Sequence, residues 1–72
     1  MNAQDYLESD PMYQVATIHR MLQELITHCR RESVKIDEPK AQVLFETSAE
    51  VLGGLKTAYE HYATGEEPAM RR

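Results

Sequence analysis

The chain has 72 residues, with twelve acidic against eight basic side chains and a formal net charge of −4. That length allows one domain at most, near the lower edge of what a single hydrophobic core stabilises without a disulfide, a metal or a partner chain. A lone cysteine, Cys29, excludes an internal disulfide and suits a reducing compartment, and the scattered Lys and Arg residues exclude the clustered basic surface that nucleic acid requires.

The opening "MNAQDYLES" lacks the basic and apolar regions of a signal peptide, and no apolar run approaches the ~20 residues of a membrane span. A soluble, cytoplasmic chain without membrane insertion is the expectation. This opening can add one helical turn, with Tyr6 and Leu7 folded back on the core. "SDPM" then reads as a helix start, in which Ser9 or Asp10 caps and Pro11 occupies the first turn, where its missing N–H is no loss.

The first predicted helix runs from about residue 11 to 34. Val15, Ile18, Leu22, Leu25, Ile26 and Cys29 fall within an arc of about 100°, with Thr17, Arg20, Glu24, Thr27, His28 and Arg31 opposite. "RESVKID" is the connector region, and "IDEPK" starts a second helix from about residue 38 to 64. Its apolar stripe is wider, about 140°, and holds Leu44, Ser48, Val51, Leu55, Ala58, Tyr59 and Tyr62, with Phe45 and Leu52 at an exposed margin. Gly65 is a stop signal, and residues 65–72 form a loose tail.

Two long helices on a short connector make an all-α antiparallel hairpin. Two cylinders cannot cover each other's stripes, so dimerisation or a partner helix is expected to complete the fold. The predicted contact residues are Leu22, Leu25, Leu44, Val51, Leu55 and Tyr59, with Phe45 and Leu52 at the margin.

The residues with chemistry to offer do not converge. Glu24 and His28 stand four apart, as ligand pairs do, but His19 and His28 point to opposite sides of the helix. Cys29 lies in the apolar arc, where a thiol behaves as a small apolar group. No nucleophile has a base and an orienting acid at a recognisable spacing. The plain expectation is no catalysis, no cofactor and no metal within one chain. The alternative is a homo-oligomeric bundle that binds a metal or small cofactor between chains.

"VLGG" places Gly53 and Gly54 in mid-helix, at a cost of about 1 kcal/mol each relative to alanine. Both plot away from the centre of the stripe. They are either a tolerated weak spot or mark a smooth outer or flanking face, where Ala49, Gly53 and Thr57 line up at four-residue spacing and another backbone can approach.

The layout resembles the small two-helix co-chaperones of the type III secretion needle subunit. The likeness spans about residues 13–62, through a first helix "ATIHRMLQELITHCRRE", an Asp-containing connector and a second helix carrying "QVLFETSAEVLGG" before an aromatic end. It implies a helical client held against the hairpin's apolar face so that it does not polymerise early. The function expected is a non-enzymatic interaction module, an adaptor or co-chaperone.

Overall fold

The computed structural model describes residues 9–65, which form an antiparallel hairpin of two α-helices, α1 (Pro11–Ser33) and α2 (Pro39–Thr64). The predicted all-α hairpin is therefore present, with helix bounds within a residue of those expected. The N-terminal turn of Tyr6 and Leu7 and the tail beyond Gly65 lie outside the described residues.

Each helix end follows from local chemistry. Asp10 is extended, and its Oδ1 accepts a hydrogen bond from the Met12 amide at 2.9 Å while its carbonyl accepts from Gln14 at 3.1 Å. Pro11 and Pro39 each open a helix in the first turn. Arg30 and Arg31 stand in the last turn of α1, where cations complement the helix dipole. Gly65 closes α2 at φ 73°, a left-handed conformation that glycine adopts without a Cβ penalty. Between the helices, the amides of Lys35 and Ile36 both donate to the Glu32 carbonyl at 3.1 Å, and Gln42 Nε2 donates to the Ile36 carbonyl at 2.6 Å. The connector is thus tied to both helices.

The core is thin. Leu22 and Ile26 of α1 and Ala49 of α2 are its buried apolar residues, and Ala49 retains only 1% of its accessible surface. Ser33 is buried near the connector and donates its hydroxyl to the Arg30 carbonyl. Half-buried around these lie Val15, Ile18, His19 and Cys29 on α1, and Phe45, Leu52, Gly53, Lys56 and Tyr59 on α2.

This arrangement corrects the expected rotation of the second helix. Phe45, Ala49, Leu52, Lys56 and Tyr59 alternate by four and three residues, and this line faces α1. It lies about 100°, or roughly a quarter turn, from the line of Leu44, Ser48, Val51, Leu55, Ala58 and Tyr62. Phe45 and Leu52, expected at an exposed margin, are part of the hairpin packing. Leu44, Val51, Leu55, Ala58 and Tyr62, members of the predicted apolar stripe, are exposed. The physical reason is the small side chain of Ala49, which admits α1 closely on a side that an apolar count ranks second.

Gly53 sits on the hairpin side yet has nothing within 4 Å of where a Cβ would stand. Gly53→Ala is therefore expected to raise stability by about 1 kcal/mol, through helix propensity alone. Leu22→Ala is expected to cost about 2–5 kcal/mol, comparable with the whole stability of a domain this small. Urea unfolding followed by circular dichroism measures both.

Candidate functional site

The exposed stripe of α2 is an unused helical seam. Leu44, Ser48, Val51, Leu55, Ala58 and Tyr62 alternate by four and three residues, the spacing that lines up side chains for helix–helix contact. Leu44 is 61% exposed and Val51 67%, with Leu55 and Tyr62 close to half exposed. None of the six carries a charge, nor do Thr47 and Gly54 beside them. Even the Ser48 hydroxyl is turned inward, donating to the Leu44 carbonyl at 2.8 Å.

The first helix extends this surface. Leu25, 48% exposed, and Cys29 form the wall of an open groove of about 550 Å³ whose floor and far side are Leu44, Phe45, Val51 and Leu52. Towards the other end of the hairpin, Val15 with Ala58, Tyr59 and Tyr62 lines a smaller depression of about 300 Å³. Met21, 54% exposed, falls on the same flank of α1 as Leu25. Met21, Leu25, Leu44, Val51, Leu55 and Tyr62 thus leave large apolar side chains exposed along one side of the hairpin.

The predicted contact residues therefore divide. Leu25, Leu44, Val51 and Leu55 present side chains on the exposed face. Leu22 is buried between the helices, and Phe45, Leu52 and Tyr59 are shared between the hairpin interface and the groove.

The charges are elsewhere. The His19 Nε2–H donates to Glu60 Oε2 at 2.8 Å across the helices, and Lys56 Nζ lies 3.2 Å from the same oxygen. Glu60 lies outside the apolar stripe of α2, so periodicity gives no sign of this tie. The available signal was the line Ala49, Lys56 and Glu60, which continues below a buried alanine. Glu24, considered above with His28, pairs instead with Arg20 at 3.0 Å.

Among the described residues, no three His, Cys, Asp or Glu side chains come together to hold a metal ion. The Cys29 thiol is free and half-buried. No buried side-chain nitrogen or oxygen among these residues lacks a hydrogen-bond partner. The buried polar groups among the described residues are thus satisfied within the hairpin.

The hydrogen bond from His19, followed by Lys56, holds the Glu60 carboxyl below its ordinary value of 4.5, against a weaker opposing effect of burial. A carboxylate depressed in the folded state contributes stability above its unfolded pKa and loses it as pH falls through the lower, folded value. Stability is therefore expected to fall below about pH 4.5 more steeply in the native chain than in Glu60→Gln. Thermal melts at a series of pH values check this, and identical slopes would count against the tie. No protein-family model, curated protein or solved structure matches the chain.

Proposed function

We propose that the hairpin is a non-enzymatic interaction module, an adaptor or co-chaperone, that buries an amphipathic helical surface of another chain on the face of Leu25, Leu44, Val51 and Leu55. The observation that carries this reading is the charge-free seam on α2, exposed at Leu44, Val51, Leu55, Ala58 and Tyr62 while the hairpin packs through a different side of the same helix. The mechanism is helix-in-groove burial. The apolar area supplies affinity, and the charges at the rim select the partner.

The composition of the face favours a protein surface as its counterpart. A membrane-surface helix sets Lys and Arg against its apolar side to meet anionic lipid, whereas α2 carries more acids than bases. No helix among the described residues is long and apolar enough to cross a membrane. The layout resembles that of the needle co-chaperones of type III secretion, a resemblance that implies a helical surface as the counterpart. A cytoplasmic, reducing setting suits the single Cys29 thiol.

Replacing both Val51 and Leu55 by serine is expected to weaken association, measured by light scattering at several concentrations, with the far-ultraviolet circular dichroism unchanged. Replacing both Phe45 and Leu52 is expected to lower helicity as well, because these side chains hold the hairpin. If the first pair lowers both signals equally, the stripe is ordinary core and the reading fails. Metal analysis of untagged protein tests the alternative bundle: one equivalent of iron, copper or zinc retained through dialysis would overturn a purely protein-binding role.

A further inference from the structure

We propose that the occupant of this face is a second copy of the chain, docked across a two-fold axis beside Gly54 with the two α2 helices antiparallel. This rests on the reading of the face as a contact surface and names its partner.

The order of side chains along the seam is the first support. Leu44, Ser48, Val51, Leu55, Ala58 and Tyr62 run large, small, large, then large, small, large. The order is the same from either end. An antiparallel copy therefore sets Val51 opposite Leu55, Ser48 opposite Ala58 and Leu44 opposite Tyr62. That is the self-complementarity a two-fold interface demands. The thin layers at Ser48 and Ala58 leave room that Leu25, which borders Ser48 in the groove, is placed to fill.

The midpoint of that order is residue 53. Gly54 stands there on the flank of the seam, exposed, with open space where a Cβ would be. The hairpin itself thus gives no reason for glycine at a position where alanine would add about 1 kcal/mol. A helix crossing at that point does give one, since a missing side chain lets two backbones approach.

Area and charge agree with a dimer. The six large side chains of the face, Met21, Leu25, Leu44, Val51, Leu55 and Tyr62, are each 43–67% exposed. At on the order of 100 Å² apiece they offer roughly 600 Å² per copy, so two copies would bury about 1,200 Å², the lower end of stable interfaces. Each copy carries a net charge of −4. Identical acidic chains meet most readily where acids are sparse, and the α2 seam carries none, Glu32 being the acid on the same flank of α1 as Met21 and Leu25.

Sedimentation equilibrium on untagged full-length protein from about 1 to about 300 μM tests the mass, which is expected to reach twice the 8.3 kDa of the chain. The double variant Val51→Glu, Leu55→Glu is expected to raise the dissociation constant at least about a hundredfold with helicity retained, because neither side chain holds the hairpin. Register is read on a Cys29→Ser background with a short bismaleimide. Gly54→Cys should crosslink, and Tyr62→Cys should not, since its counterpart lies about 27 Å away.

Crosslinking at both positions means parallel helices and overturns the proposal. So does a dimer that survives the double glutamate variant. A chain monomeric at every concentration also overturns it, and anilinonaphthalene sulfonate fluorescence then separates the two levels. Dye binding that the glutamates abolish leaves the contact-surface reading standing, whereas absence of dye binding removes that reading too.

Discussion

The packing of Ala49 against α1, beside Leu22 and Ile26, sets everything else in this molecule. A helix meets its neighbour most closely where its side chains are smallest, and close approach maximises the dispersion contacts of the larger side chains on either side. Once Ala49 is seated, the rotation of α2 about its own axis is determined. Phe45, Leu52 and Tyr59 turn inward, Lys56 and Glu60 come level with His19, and Leu44, Val51 and Leu55 turn out to solvent. One buried methyl group thus decides which of two helix faces becomes core and which becomes surface.

The architecture was legible in the chain because its signals were local and consistent. Asp10 with Pro11, Pro39 and Gly65 mark helix ends through the backbone conformations they favour, and these need no knowledge of tertiary contacts. The apolar arc of α1 was equally readable, since Leu22 and Ile26 lie within it and are buried. The rotation of α2 was not. Periodicity finds the most apolar side of a helix, and in a monomer with one core that side is the buried one. Here a second, less apolar side wins, because Ala49 contributes little to an apolar count and much to how near the helices come. The His19–Glu60 bond was hidden for the same reason, being the consequence of a rotation that only the packed structure reveals.

Two helices in contact along one side each bury one line of residues, and α2 has two such lines a quarter turn apart. This divides its residues into distinct roles. The line through Ala49 holds the hairpin, with its polar ends neutralised by Lys56, Glu60 and His19. The line through Val51 holds nothing within the chain, yet it is the more apolar of the two. A surface of that kind is costly in water, at roughly 25 cal/mol for each Å² left exposed. Its uninterrupted spacing is what gives the contact-surface reading its weight, beyond the exposure of any single leucine.

The connector has a consequence for kinetics. With residues 34–38 tied back through Glu32 and Gln42, the two helices are close in sequence and the hairpin can form by local search. Chains dominated by short-range contacts fold within microseconds to milliseconds. Covering the outward seam by another molecule is a bimolecular step, with a rate proportional to concentration. The two events therefore differ in kinetic order, and dilution slows only the second. Under the proposed pairing, a newly made hairpin would pass through an interval, set by its abundance rather than by its own folding rate, in which Leu44, Val51 and Leu55 stand uncovered in water.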